Sequence, residues 1–201
     1  MPEPDRVPVP PWFAELLQGQ KLTVDQLKVL FEHYQLLERW NLKMSLTSVK
    51  AGPEMVIRHY CESLFFGANI PGEPGSIADI GSGAGFPGVP IAVLRPACKV
   101  SLVESNQRKA VFLRESTRSL DNVSVLAKRA EDLSERFDWV VSRAVDPMTV
   151  LDLTPSLATN VGLMVGEGDF LELKKLPNIA WPEPIRLPWG DRRVCVYGRS
   201  T

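Results

Sequence analysis

Apolar positions fall into two regimes along this chain. In the first third they recur every three or four residues. Leu27, Leu30, Phe31, Tyr34, Leu37 and Asn41 share one helical face, and Thr23 sits where an N-cap belongs. This predicts an amphipathic helix over about 24–41, preceded by a short one within 12–17. Residues 42–51 read as a connector. Pro53 suits the first position of another helix, running to about Ala68. The run Pro71-Gly72-Glu73-Pro74-Gly75 then breaks the chain.

Beyond the break the apolar runs are short, and they alternate with helical spacing. Strands are predicted at 77–80, 100–103, 123–126, 137–142 and 162–165, with helices at 87–94, 106–120 and 147–158. Residues 184–188 and 193–197 read as antiparallel strands joined through Trp189-Gly190-Asp191. Such alternation predicts an α/β fold: a mostly parallel sheet with helices on both faces and right-handed crossovers. The expected organisation is a single domain over 1–201. It has a Pro-rich lead-in at 1–11, a helical extension at 12–70 and a Rossmann-like core at 75–201.

Composition narrows the classes. With 44% hydrophobic and 23% charged residues the chain reads as an ordinary globular protein. Its net charge of −1 excludes nucleic-acid binding by bulk charge, so any such contact rests on a local patch. Cys61, Cys98 and Cys195 are odd in number and widely spaced, which suggests neither a disulfide framework nor a zinc site and fits a reducing, cytoplasmic setting. No metal-ligand spacing occurs, and no run of 18 apolar residues suggests a membrane span.

The chemistry concentrates at Asp79-Ile80-Gly81-Ser82-Gly83-Ala84-Gly85-Phe86-Pro87-Gly88, which reads as strand, glycine turn and helix start. Such a turn lets a ligand lie directly on the main chain. Gly83, Gly85 and Gly88 satisfy the dinucleotide pattern G-x-G-x-x-G. Asp79, two residues before Gly81, gives D-x-G-x-G-x-G. An acid there suits the ammonium and sulfonium of S-adenosylmethionine better than a pyrophosphate. A glycine motif alone is as often a surface turn, so the other strand ends decide.

Glu104 ends the second strand about 25 residues after Asp79, the distance expected of an acid on ribose hydroxyls. Ala130 and Glu131 follow the third strand and are placed to frame an adenine edge. Arg143 ends the fourth, where a guanidinium holds a carboxylate or stacks on a base. Arg108 and Lys109 open the helix after Glu104 and are candidate phosphate contacts beside surface charges. Read without context, Arg58 and His59 are a surface arginine and a hydrogen-bonded histidine. With only His33 and His59 as histidines and no nucleophile elbow, hydrolysis is disfavoured, and a transfer to a substrate that owns its nucleophile fits.

Four blocks carry a resemblance over about residues 24–199. They are Trp40-Asn41 with Ser45-Leu46-Thr47, Arg58-His59-Tyr60-Cys61-Glu62-Ser63-Leu64, Asp79 to Pro90, and Phe137-Asp138 with Ser142-Arg143-Ala144. In this order they resemble the RsmG (GidB) family of bacterial methyltransferases, which modify guanine N7 in 16S ribosomal RNA. The resemblance implies a class I methyltransferase fold with S-adenosylmethionine contacts at Gly81, Phe86, Ala130, Glu131 and Arg143, and with Glu104 near the ribose. It implies that Arg143 and the Arg58–His59 helix border the RNA side, with Arg143 and His59 as positioning candidates. It also implies 16S rRNA or the small ribosomal subunit as partner, and a monomer in the cytoplasm. The chain departs from the family's pattern at Ser45, at Glu62, and at Glu167, which stands where a lysine is expected to meet RNA. Other readings are a methyltransferase with a small-molecule or protein acceptor, a dinucleotide-dependent oxidoreductase, and a non-enzymatic RNA-binding relative.

Overall fold

The computed structural model describes residues 8–189 and 192–201. Residues 1–7 of the lead-in, and Gly190 and Asp191 of the expected terminal turn, lie outside it. Helix α1 (Pro11–Leu17) starts at the last proline of the lead-in, a position that wastes no helical N–H. Helix α2 (Val24–Met44) opens as the sequence indicates. Thr23 Oγ1 accepts from Gln26 N–H, and the Gln26 side chain accepts from Thr23 N–H. Leu30, Phe31, Tyr34 and Leu37 are buried on one face, and His33 is buried with them.

The helix expected from Pro53 is one continuous run in three parts. These are α3 (Pro53–Met55), a π-helical stretch Val56–Cys61, and α4 (Glu62–Ala68). A wider π turn rotates the residues it carries relative to the flanking helix and is often found at functional sites. Here it carries Arg58 and His59.

The sheet runs in the order β3-β2-β1-β4-β5-β8-β6, with β7 paired to β8. Its strands are β1 (Ser76–Ile80), β2 (Lys99–Val103), β3 (Val123–Leu126), β4 (Phe137–Arg143), β5 (Ala158–Gly166), β6 (Ile179–Ala180), β7 (Ile185–Arg186) and β8 (Arg193–Ser200). β1 to β5 are parallel, and β8 returns antiparallel to β5. Side chains alternate between two cores. Ile77, Leu102 and Val141 pack beneath α2, the α3–α4 run, α5 (Gly88–Leu94) and α6 (Gln107–Ser116). Ala78, Val103 and Val140 pack against α7 (Pro147–Leu157) and α8 (Glu167–Leu173). Both faces are therefore covered, as a parallel sheet requires.

The structure also corrects several boundaries. The helix expected to reach 120 ends at Ser116. α7 hands Ala158 directly to β5, which begins four residues earlier than the apolar run suggested, because Ala158 is already extended. Helix α8 was not expected. Its apolar contacts, Phe170 and Leu173, are only two, too few to show a period, and Gly166 N–H is received by Asp169 Oδ2 at 3.3 Å. Glu167 accordingly opens a helix and pairs with Arg186 (Nε to Oε1, 3.0 Å), so its charge is matched within the chain. The described part of the strand expected at 184–188 is reduced to Ile185–Arg186. Among the described residues, no helix is long and apolar enough to cross a membrane.

Candidate active site

Strand order reverses between β1 and β4, and the glycine turn leaves β1 at that point. In an open parallel sheet this is where a ligand crevice forms. Two clefts meet there and share Gly81. The first, about 220 Å³, is walled by Gly81, Glu104, Ser105, Ala130 and Glu131 together with Val145 and Thr149. The second, about 430 Å³, is lined by Thr47, Arg58, His59, Gly83, Phe86, Lys109, Arg143 and Ala144 among others. Among the described residues, no acidic side chain lines this second cleft.

The turn is held from beneath. Asp79 is completely buried, and its Oδ2 accepts from Gly88 N–H at 3.0 Å. A Cβ on Gly88 would collide with Leu102 and lie 2.6 Å from Asp79 Oδ2, so only glycine allows this approach. Burial pushes the Asp79 carboxyl up to about 7, against the Gly88 and Ser82 hydrogen bonds. The Asp79 carboxylate thus faces inward and shapes the turn through Oδ2, while Oδ1 has no hydrogen-bond partner among the described residues. Gly85 likewise faces inward. A Cβ there would press on Val89 and sit 3.2 Å from His33 Nε2. His33, joined through Nδ1 to Tyr60 Oη at 2.7 Å, supports the back of the turn.

Glu104 joins strand end to turn. Its Oε2 accepts from Gly83 N–H at 3.0 Å and its Oε1 from Asn106 N–H at 2.8 Å. Each oxygen keeps a second acceptor direction for a ligand. Ala130 and Glu131 form a single 3-10 turn facing it across the cleft.

Arg143 ends β4 and turns its guanidinium onto the π stretch. Nη1 donates to the Arg58 carbonyl and Nη2 to His59 Nδ1, both at 2.7 Å. The planar stacking surface expected of Arg143 is thus subordinate to a clasp on the helical extension. Ala144 follows at φ 62, a left-handed conformation uncommon for alanine, at the cleft edge. His59 stacks on Phe86 with ring centres 4.7 Å apart. Behind this clasp lies Glu62, completely buried and gripped by Arg193 through two hydrogen bonds of 2.6 and 2.7 Å. Of the two basic residues expected on α6, Lys109 lines the second cleft, while Arg108 is exposed beside it.

Sequence reasoning missed three contributors: Thr47, His33 and Arg193. Asn41 fixes Thr47 by accepting its N–H (2.9 Å) and donating to its carbonyl (3.0 Å). The Asn41…Thr47 spacing was visible in the sequence, but nothing marked it as a hydrogen-bonded pair.

The residues along the chain match the family model described as rRNA small subunit methyltransferase G over residues 26–175. The chain belongs to this family. It is 42% identical to ribosomal RNA small subunit methyltransferase G of Xanthomonas campestris pv. campestris (strain 8004), across 93% of each chain. It is 40% identical to the Nitrosococcus oceani protein of the same name, over 64% of this chain and 61% of that protein. Among solved structures, N-methyltransferase NodS of Bradyrhizobium japonicum WM9, in complex with S-adenosyl-L-homocysteine, superposes with a TM-score of 0.59. It shares 16% identity and covers 84% of this chain and 98% of its own. That likeness establishes the class I methyltransferase fold. In this member of the methyltransferase G family, Arg143, His59 and Phe86 stand together on the side of the glycine turn away from Glu104.

The buried histidines set a pH dependence. Burial lowers His33 to about 4 and His59 to about 3, from a usual 6.5, and Arg143 adds to the effect at His59. Between pH 6.5 and 4 the unfolded chain binds protons that the folded chain refuses. Stability therefore decreases as the pH is lowered through that range, by up to about 1.4 kcal/mol per unit for each histidine. Asp79 acts oppositely, because its raised value makes the folded chain hold a proton the unfolded chain releases. We expect the urea midpoint to fall from pH 6.5 to 4.5, and to fall more steeply in Asp79→Asn. An equal or shallower slope in the variant would contradict this.

Proposed function

We propose that the protein transfers a methyl group from S-adenosylmethionine to guanine N7 of 16S rRNA in the small ribosomal subunit. The observation that carries this is the pair of clefts sharing Gly81: one closed by an acid, the other lined by Arg58, Lys109 and Arg143 with no acid among the described residues. The relatives named above are ribosomal RNA methyltransferases, which supports the same acceptor class.

The first cleft fits the donor. Glu104 offers two free acceptor directions, as two ribose hydroxyls need, and Ala130 keeps the facing wall low. The Gly83 backbone is open, since a Cβ added there would meet nothing nearer than the Gly81 carbonyl at 3.8 Å. When bound, S-adenosylmethionine supplies an electrophilic methyl group on sulfur. Glu104, Ser105, Ala130 and Glu131 would hold the nucleoside, with Gly81 and Gly83 beneath the remainder.

The second cleft takes the acceptor. Neutral guanine already has a lone pair on N7, so these residues need no general base and their work is placement. Lys109 and Arg58 neutralise phosphates, which answers how a chain of net charge −1 meets RNA. Asp79, Gly85 and His33 act one layer behind, by fixing the turn. The chain acts as a monomer in the cytoplasm, with residues 12–70 built onto the core as one unit.

Two measurements test this. Labelled methyl transfer to small subunits, with the product mapped by cleavage specific for 7-methylguanine, should give one modified position. Transfer to no ribosomal RNA would reject the proposal. Arg143→Ala should lower kcat/KM at least about 100-fold, because Arg58 and His59 lose their clasp and small misplacements are costly in such reactions. Methylation at the wild-type rate would remove Arg143 from the site.

A further inference from the structure

The Thr47 hydroxyl is held at the cleft wall with every direction but one engaged. Arg143 can only donate, so the 2.7 Å contact of its Nη2 with His59 makes His59 Nδ1 the acceptor. The neutral ring then carries its proton on Nε2, which lies 2.7 Å from Thr47 Oγ1. Thr47 Oγ1 must accept this proton. It also accepts Val49 N–H at 3.1 Å. Both lone pairs are in use, so the hydroxyl proton is left to donate, and among the described residues it has no acceptor of its own. Asn41 locks the Thr47 backbone in both directions, and Thr47 lines the second cleft.

A relay that ends in an unclaimed donor calls for an acceptor on the ligand. Beside N7, guanine presents the O6 carbonyl, an acceptor, where adenine presents an amino donor. We propose that Thr47 is a specificity-determining residue whose hydroxyl donates to O6 of the target guanine, so that His59 and Arg143 orient the group that selects this base. The inference rests on guanine N7 being the acceptor. Arg143 keeps further N–H groups, but its hydrogen bonds to the Arg58 carbonyl and His59 Nδ1 fix the guanidinium on the extension, whereas the Thr47 hydroxyl has its single proton uncommitted. A hydrogen bond to O6 draws electrons from the ring and does not make N7 more nucleophilic. Thr47 therefore acts in recognition, and its removal is expected in KM and in base choice more than in kcat.

The test uses small subunits rebuilt with 16S rRNA ligated to carry either guanine or 2-aminopurine at the position that wild type methylates. 2-Aminopurine keeps N7 and lacks O6. Wild type should favour guanine by about tenfold or more, the scale of one lost hydrogen bond in a site built for it. Thr47→Val should lose most of that preference while binding S-adenosylmethionine as wild type does. Thr47→Ser, which keeps the hydroxyl, should retain it. A Thr47→Val enzyme that still prefers guanine as wild type does would overturn the inference while leaving the proposed function intact. So would a wild type indifferent to the substitution. A wild type that methylates no position of native small subunits would overturn both, and is told apart because it fails before any base is substituted.

Discussion

Arg193→Ala is expected to lower the unfolding free energy by about 3–5 kcal/mol, the scale for removing one partner of a buried ion pair. Glu62 is completely buried, and Arg193 supplies both of its short hydrogen bonds. Burial already raises the Glu62 pKa, and Arg193 is the main opposing influence. Without it the carboxyl must either stay charged in the interior or take up a proton. In a chain of this size the loss corresponds to a fall in Tm of roughly 6–20 °C. Glu62→Gln in the same background should recover part of it, since a neutral amide needs no cation. Thermal unfolding of the three proteins decides this. An Arg193→Ala protein within about 1 kcal/mol of wild type would show the pair to be a surface contact in effect.

Gly83→Val should fold and fail to bind S-adenosylmethionine, with affinity reduced at least about 100-fold. The backbone at Gly83 has φ 57, where a β-branched residue is strained by about 1–3 kcal/mol, a cost the fold can carry. A Cβ added there would approach nothing nearer than the Gly81 carbonyl, at 3.8 Å, so the side chain would enter the open space beside Gly81. It would also disturb the Gly83 N–H that orients Glu104. Calorimetric titration of both proteins reads the effect directly. Retained affinity in a folded variant would remove the donor from this turn.

The parallel core was legible from hydrophobic runs because its strands are buried on both faces and stand out as short apolar blocks. The Thr23 cap and the glycine turn were legible because each depends on side chains a few residues apart. What was not legible depends on distant partners. Nothing near Glu62 announces Arg193. His33 reads as one more residue on an amphipathic face until Tyr60 and the turn are brought against it. Asp79 shows the limit differently. Its position beside the glycines was clear, but which way its carboxylate points follows from Gly88, nine residues on, whose missing side chain leaves room beneath the turn. Arg143 was recognised as a site residue for contacts with ligands, whereas the structure first engages it with the extension.

The clasp between extension and sheet has a consequence for how the protein is made. Glu62 bonds to Arg193, and the Phe66 carbonyl accepts from Tyr197 Oη, each across 131 positions of sequence. A growing chain presents both helical partners long before β8 exists. Helix α4, which carries both Glu62 and Phe66, gains these partners only when nearly all of the chain is free to fold. Closing so long a loop is slow compared with forming a helix. A chain that stops short of β8 therefore leaves the Glu62 carboxylate and the Phe66 carbonyl without the partners that satisfy them in the finished fold.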